Sequence, residues 1–248
     1  MAQFDALAGH AGEACRTSYI LRELRKAPAR TFTREEIGPD VVLFRGEGPP
    51  AQKSLIIALC GRSQRPNMAW SLFLQYLPAT LFDVAILCDR RGSHYTRGIA
   101  GYADDLLQLQ RRVMADTDAA SYRKIYFYGT SSGGLPAVRI GLLAGVHRSI
   151  AVGPVFAWPI HRLLQGEPFQ TFDPICACNR QAPQEVLCIH ATNARDMLGA
   201  RHLELILGAR RVRIAVPDHN VNYQLYLAGR LMEFHGRMFE FDAKGAIR

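Results

Sequence analysis

The sequence predicts an α/β protein with a mostly parallel central sheet, and two observations support this prediction. From about residue 54 onward, short apolar runs alternate with longer amphipathic stretches, as expected when helices connect the strands of a parallel sheet. The short runs are continuously apolar instead of alternating between apolar and polar residues. Continuous apolar strands indicate a sheet that is covered by helices on both faces.

Six strands and five helices are predicted after residue 53. The predicted strands are 54–59, 82–88, 124–129, 148–153, 185–190 and 211–216. The predicted helices are 68–77, 102–115, 135–145, 200–208 and 223–235. Before them, 31–46 predicts one or two antiparallel strands at the front edge of the sheet.

We expect a single domain over residues 1–248, because the sequence contains neither an internal repeat nor a Ser/Gly-rich linker. Residues 1–30 are expected to form an N-terminal helical extension. Residues 154–184 are rich in proline and lack long periodicity, which predicts a short lid that passes over one end of the sheet.

The composition indicates a folded protein without membrane-spanning segments. Apolar residues make up 48% of the chain and charged residues 21%, which excludes global disorder. No run of 18 apolar residues predicts a membrane span, and the first 26 residues contain no apolar block typical of a signal peptide. We therefore expect a cytoplasmic protein that does not bind membranes.

The formal net charge of +8 raises the question of an anionic partner. The arginines are scattered along the chain, they are not interleaved with aromatic residues, and no nucleic-acid-binding motif is present. A generally basic surface without a nucleic-acid partner is the simpler interpretation. An acidic substrate or a polyanion contact is the alternative.

The cysteines do not predict a metal site or a disulfide framework. Cys60, Cys88 and Cys188 lie in apolar strand-like runs and are interpreted as buried free thiols. Cys176 and Cys178 are separated by one residue and have no second pair nearby, which is too few ligands for a zinc site. We expect neither a metal nor another cofactor.

The segment Gly129-Thr130-Ser131-Ser132-Gly133 has the spacing G-x-S-x-G between a predicted strand and a predicted helix. A phosphate-binding loop would need a lysine after the glycines, and a dinucleotide-binding loop has a different spacing. G-x-S-x-G at a strand–helix junction is typical of a nucleophile elbow, in which a strained turn exposes the central serine. Ser131 is the candidate nucleophile, because the flanks of Ser132 would be Thr130 and Gly134.

Two residues farther along the chain could complete a triad with Ser131. In the fold that carries this motif, the acid and then the histidine follow later strands of the sheet. Asp196 follows the strand at 185–190, and His219 follows the strand at 211–216. Asp173 and Asp218 are weaker alternatives for the acid, and Asp196 could instead be an ordinary acid at a helix start.

An oxyanion hole would need backbone N–H groups that point at the developing negative charge. Ser132, directly after the nucleophile, is predicted to supply one of them. Arg62, or a neighbour in the turn that Gly61 permits, is predicted to supply the other. Gly61 could instead only terminate a strand, and Arg62 could also meet an acidic group on the substrate.

From about residue 54 to 235, the chain resembles α/β-hydrolase fold proteins. The resemblance rests on GTSSGG (129–134), Gly61, DRRG (89–92), Asp196 and His219. It implies a mainly parallel sheet of about eight strands and a serine-dependent acyl hydrolase. The chain departs from the common pattern at the oxyanion loop, where Cys60-Gly61 replaces a His-Gly pair.

These observations predict a serine hydrolase that cleaves an ester or thioester through an acyl-enzyme. An acyltransferase with the same triad, a non-catalytic small-molecule-binding protein of this fold and a polyanion-binding protein are the alternatives. Phe156, Trp158 and Phe169 are candidates for lining the acyl pocket. Three segments are also similar to compact hydrolase-like proteins associated with bacterial surface-glycan pathways, which makes an acylated glycan one candidate substrate: GRSQRPNMAW, DRRGSHYTRGIAGY and YGTSSGG.

Overall fold

The computed structural model describes residues 19–25, 27, 29–155 and 185–242. Within them, eight strands form one sheet, and they are numbered here in chain order. The strands are β1 (Thr33–Gly38), β2 (Val41–Arg45), β3 (Ser54–Leu59), β4 (Phe82–Leu87), β5 (Lys124–Thr130), β6 (Arg148–Val152), β7 (Glu185–His190) and β8 (Arg210–Arg213).

Seven α-helices accompany the sheet in the described part of the chain. They are α1 (Tyr19–Leu24), α2 (Trp70–Gln75), α3 (Leu106–Asp116), α4 (Gly134–Ala144), α5 (Ala194–Leu207), α6 (Val221–Leu227) and α7 (Leu231–Met238).

The strands lie in the order β1-β2-β4-β3-β5-β6-β7-β8. The β1–β2 and β2–β4 pairs are antiparallel, and all the other pairs are parallel. β1 and β2 are the antiparallel strands that the sequence at 31–46 predicts at the front edge of the sheet. The predicted fold class, a mostly parallel sheet of about eight strands, is confirmed.

Helices cover both faces of the sheet, as the continuous apolar strands predict. Successive side chains of a strand point to opposite faces. On β3, Ile56 and Ala58 therefore pack with residues of α2, α6 and α7, whereas Leu55 and Ile57 pack with residues of α3 and α4. Farther along the sheet, α4 and α5 enclose a third apolar cluster with β6 and β7. This arrangement leaves the strand ends free to carry a site.

The predicted helix at 223–235 is two helices, because the chain reverses at Gly229. This glycine has a φ of +69°. Its N–H donates to the carbonyl of Tyr226, and the N–H of Arg230 donates to the carbonyl of Leu225. These two hydrogen bonds form a Schellman motif, which ends α6 before α7 begins.

The predicted helix at 200–208 begins earlier than expected, since α5 starts at Ala194. The side chain of Asn193 accepts a hydrogen bond from the N–H of Asp196 at 2.9 Å and caps the helix. The predicted helix bounds would leave Asp196 before the helix, and this is wrong, because Asp196 lies in the first turn of α5. This correction matters for the site described below.

The last predicted strand, 211–216, is also shorter in the structure. β8 ends at Arg213, although the N–H of Ile214 still donates to the carbonyl of His190 in β7. Directly afterwards the N–H of Val216 donates to the carbonyl of Ile214, which closes a tight turn. The chain therefore leaves the sheet three residues before the predicted end.

Some predictions fall on residues outside the described part of the chain. Of the predicted lid, 154–184, only Pro154 and Val155 are described. Of the N-terminal extension, residues 1–18 lie outside the description, and α1 is its described helix. No helix among the described residues is long and apolar enough to cross a membrane.

Three of the cysteine predictions can be checked. Cys60, Cys88 and Cys188 are buried free thiols, as predicted. Burial raises the pKa of the Cys60 thiol well above its ordinary value and raises that of Cys188 to about 12. Both thiols are therefore protonated and unreactive at neutral pH. Cys176 and Cys178 lie outside the described residues.

His235 in α7 should make the stability of the protein depend on pH. Its ring is fully buried against Phe73 and Phe239, and Nδ1 lies 3.1 Å from the carbonyl oxygen of Tyr76. Burial lowers the pKa of His235 from 6.5 to about 4, although the Tyr76 hydrogen bond opposes the shift. Because the unfolded chain binds this proton more tightly, the stabilisation is present above pH 6.5 and is lost as the pH falls through 4.

We expect the free energy of unfolding to fall by about 2 kcal/mol from pH 7 to pH 5 through this histidine alone. Urea unfolding of the wild-type protein and of His235→Gln at both pH values measures this contribution. Glutamine can still donate to the carbonyl of Tyr76, but it does not titrate. An equal pH dependence in the two proteins would show that His235 is not responsible.

Candidate active site

Ser131 lies in the turn between β5 and α4, in a backbone conformation that L-residues rarely adopt. β5 ends at Thr130, and Ser131 has a φ of +53°. A 3₁₀ turn over Ser131–Gly133 then leads directly into α4. A left-handed conformation at a residue other than glycine costs about 1–2 kcal/mol, and such strain occurs mostly at functional sites.

Gly129 and Gly133 allow this turn because side chains at either position would collide with backbone atoms. A Cβ atom added to Gly129 would lie 2.0 Å from the carbonyl oxygen of Gly133. A Cβ atom added to Gly133 would lie 2.3 Å from the carbonyl oxygen of Leu59 in β3. The G-x-S-x-G spacing is thus explained by the close packing of the turn against itself and against β3.

The structure brings Ser131, His219 and Asp196 together in one hydrogen-bonded chain. Ser131 Oγ lies 2.9 Å from His219 Nε2, and His219 Nδ1 lies 2.7 Å from Asp196 Oδ1. A carboxylate can only accept, so Nδ1–H donates to Asp196. This leaves Nε2 as the acceptor for the hydroxyl of Ser131. The three residues follow β5, β7 and β8, and they meet at the carboxyl ends of the strands.

Asp196 is completely buried, while the side chain of His219 is 29% exposed. In the first turn of α5, the partial positive charge of the helix N-terminus stabilises a carboxylate. The second carboxylate oxygen of Asp196, Oδ2, is buried and has no hydrogen-bond partner within the described residues. The hydrogen-bonding capacity of Asp196 is therefore directed at the imidazole.

Gly153, which the sequence analysis does not identify, packs directly against the His219–Asp196 pair. It follows β6 with a φ of +55°, and its N–H donates to the carbonyl of Ile189 in β7. A Cβ atom added to it would lie 3.0 Å from two ring atoms of His219 and 3.2 Å from Asp196 Oδ2. A glycine that ends a strand and precedes a proline is the signal that could have identified this position.

The loop after β3 lies against Ser131, as an oxyanion loop must. A Cβ atom added to Gly61 would lie 2.9 Å from Ser131 Cβ. The N–H of Gln64 donates to the carbonyl of Gly61 at 2.9 Å, which folds the loop into a tight turn. Gly61 therefore does more than end a strand: it lets the loop approach the serine.

Two backbone N–H groups near Ser131 are candidates for binding an oxyanion. Within the described residues, the N–H of Arg62 donates to no other group. The N–H of Ser132 lies in the first turn of a helix, where backbone donors lack intrahelical partners. Both groups belong to segments that lie against Ser131.

The alternative residues take other roles in the structure. The carboxylate of Asp218 accepts from the N–H of Asn220 and from the side chain of Gln224. His190 is buried at the end of β7, and its Nδ1 lies 2.9 Å from the carbonyl oxygen of Ala191. Among the described residues, no group of three or more histidine, cysteine and carboxylate side chains could hold a metal ion. The remaining candidates lie outside the described residues: Asp173, Phe156, Trp158 and Phe169.

Comparison with known proteins identifies the fold. The sequence matches no protein-family model and no curated protein sequence. Solved structures do match: Est1E from Butyrivibrio proteoclasticus has a TM-score of 0.53 at 15% identity, with 84% of this chain and 98% of that chain covered. Carboxylesterase CesB from Bacillus subtilis has a TM-score of 0.52 at 11% identity, with 86% and 94% covered. The chain has the α/β-hydrolase fold.

Dienelactone hydrolase from Anabaena variabilis is a third such structure, with a TM-score of 0.51 at 14% identity. The match covers 86% of this chain and 97% of that chain. The α/β-hydrolase fold explains why the three residues meet. Its parallel strands all end at the same edge of the sheet, where the loops that follow them converge. At these low identities the likeness is one of fold, and proteins of one fold carry out many reactions.

Gly129→Ala should disrupt the turn that holds Ser131. The added methyl group would overlap the carbonyl oxygen of Gly133, so we expect a loss of more than about 2 kcal/mol in the free energy of unfolding. The matched control is Gly48→Ala, where a Cβ atom meets nothing within 4 Å and only the positive φ of +81° is penalised. Its expected loss is about 1 kcal/mol. Urea unfolding of both variants measures the two losses in the free energy of unfolding. Equal losses would show that a methyl group at position 129 is not crowded by the carbonyl oxygen of Gly133.

Proposed function

We propose that this chain is a serine hydrolase that cleaves an ester or thioester through an acyl-enzyme. The observation that carries the proposal is the hydrogen-bonded chain from Asp196 through His219 to Ser131. A serine hydroxyl is a weak nucleophile unless an adjacent base accepts its proton. Here the base lies within hydrogen-bonding distance, and a buried carboxylate fixes its tautomer.

In the first half of the reaction, Ser131 Oγ forms a bond to the carbonyl carbon while its proton passes to His219 Nε2. The tetrahedral intermediate then collapses, the bond to the leaving oxygen or sulfur breaks, and His219 gives its proton to the leaving group. Asp196 holds the ring in place and stabilises the imidazolium between these two transfers. The product of this half is an ester between the acyl group and Ser131.

In the second half, water attacks the acyl-enzyme and His219 acts again as the base. The carboxylic acid leaves and the Ser131 hydroxyl is restored. During both halves, negative charge develops on the carbonyl oxygen. The N–H groups of Arg62 and Ser132 are proposed to stabilise that charge, which accounts for the tight approach of the Gly61 turn to the serine.

The structural neighbours favour an ester as the substrate class. Carboxylesterase CesB and dienelactone hydrolase are two of them, and both share the fold over more than four fifths of this chain. They support ester cleavage here only together with the geometry around Ser131, because proteins of one fold carry out many reactions.

The proposal predicts that Ser131→Ala lowers kcat for a short p-nitrophenyl ester by about three to six powers of ten. A fluorophosphonate probe should label the wild-type protein and fail to label this variant. Ser121→Ala, in a turn before β5 where the hydroxyl donates to the carbonyl of Asp118, should leave both readouts unchanged. Near-normal turnover by Ser131→Ala would rule out Ser131 as the nucleophile.

A further inference from the structure

Three basic side chains lie at the same edge of the sheet as Ser131, two of them in loops and one in the first turn of α5. Arg62 follows Gly61, the residue that packs on Ser131. Arg195 precedes Asp196 in the first turn of α5. His94 lies in the loop after β4 and is half-buried, whereas both arginines are exposed. We call these three side chains the basic rim.

The order of the strands indicates that the basic rim spans the nucleophile. β4 and β7, which precede His94 and Arg195, are separated in the sheet by β3, β5 and β6. Four strand spacings correspond to about 19 Å. His94 and Arg195 therefore lie on opposite sides of β5, at whose end Ser131 lies, and Arg62 follows the neighbouring strand β3.

The electrostatics of His94 reflect this arrangement. Burial lowers the pKa of His94 below its usual 6.5, and the positive charges of Arg62 and Arg195 lower it further, against the opposing effect of Asp89. At neutral pH the imidazole is therefore uncharged. The net charge of the rim then comes from the two guanidinium groups.

The loop that carries His94 is firmly held. Asp89 Oδ2 accepts hydrogen bonds from the hydroxyl of Ser93 and from the N–H of Tyr95, both at 3.0 Å. The buried hydroxyl of Tyr95 lies 3.0 Å from the carbonyl oxygen of Cys60 and 2.8 Å from that of Leu87. This loop is thus tied to the strand end that precedes Arg62, which fixes one side of the rim.

Neither guanidinium of the rim forms an ion pair within the described part of the chain. Other exposed arginines do: Arg90 pairs with Asp40, and Arg210 pairs with Glu185. A guanidinium presents several N–H donors in a planar fork that matches a carboxylate or a phosphate. Two guanidinium groups beside a nucleophile can donate hydrogen bonds to an anionic ligand.

We propose that the basic rim binds a negatively charged group, a carboxylate or a phosphate, on the ester that Ser131 attacks. This inference rests on the proposed serine hydrolase function and adds a substrate class to it. The anion would belong either to the acyl part or to the alcohol part of the ester. Both arrangements use the same recognition chemistry, and the experiment distinguishes them.

Two pairs of esters that differ by one negative charge test the proposal. For the acyl side, mono-4-nitrophenyl adipate is compared with 4-nitrophenyl methyl adipate. For the alcohol side, 4-acetoxybenzoate is compared with methyl 4-acetoxybenzoate. We expect kcat/KM to be at least about tenfold higher for the charged member of one pair, because hydrogen bonds to charged groups are the stronger ones. The preference should shrink as salt is added.

Substitution of the rim should remove that preference. In Arg62→Gln and in Arg195→Gln, the ratio of kcat/KM between charged and neutral esters should fall by about tenfold, mainly through KM. Arg237→Gln is the matched control, because Arg237 is an exposed arginine of α7 that pairs with Glu233. It removes the same charge and should keep the ratio of the wild type. A wild-type ratio near one, or a ratio unaffected by the rim variants, would overturn the proposal.

A binding measurement separates the failure of this proposal from failure of the proposed function. Ser131→Ala is titrated calorimetrically with two pairs of esters, monomethyl and dimethyl adipate for the acyl side and 4-acetoxybenzoate and its methyl ester for the alcohol side. The charged member of each pair is titrated again after Arg195→Gln is added. Tighter binding of the charged ester, lost with Arg195, supports the rim even if no ester is turned over. Equal binding of the charged and the neutral ester in both pairs contradicts the rim even if a fluorophosphonate labels Ser131 in the wild-type protein.

Discussion

The strained backbone of Ser131 is the constraint on which the rest of the site depends. With a φ of +53°, Ser131 has neither the backbone conformation of β5, which precedes it, nor that of the helix α4, which follows. The serine therefore forms the turn between them. Such a conformation persists only when its surroundings enforce it. Here the turn is packed so tightly against its own carbonyl groups and against β3 that Gly129 and Gly133 cannot carry side chains. The core on both faces of the sheet supplies the stability that offsets this local cost.

The sheet then determines which residues can reach the serine. β7 and β8 are neighbours at one side of β5, and β6 lies between them and β5, the strand that ends before Ser131. Asp196 lies in the first turn of α5, which follows β7, and His219 lies in the loop after β8. Gly153 after β6 leaves the space that their side chains occupy. On the other side, β3 delivers Gly61 and Arg62. Each of these segments contributes one part of the site, and the residues of the site are therefore far apart in the sequence.

Much of this arrangement can be predicted from the sequence because it depends on local signals. The G-x-S-x-G spacing indicates a crowded turn, and the apolar runs indicate the strands that precede Asp196 and His219. What the sequence analysis misses depends on tertiary contacts or on capping. The break at Gly229 and the early start of α5 at Ala194, which Asn193 caps, follow from capping hydrogen bonds that interrupt or extend a helical pattern. The role of Gly153 is visible only once His219 and Asp196 are placed beside it.

The tautomer of His219 tests the central claim most directly, because it depends on the hydrogen-bonded chain and not on any substrate. Nitrogen-15 NMR of histidine-labelled protein above neutral pH distinguishes the two ring nitrogens. We predict that neutral His219 carries its proton on Nδ1, with a strongly downfield proton resonance that is lost in Asp196→Asn and retained in Asp118→Asn. A His219 ring protonated on Nε2, or a resonance unchanged in Asp196→Asn, would contradict the account.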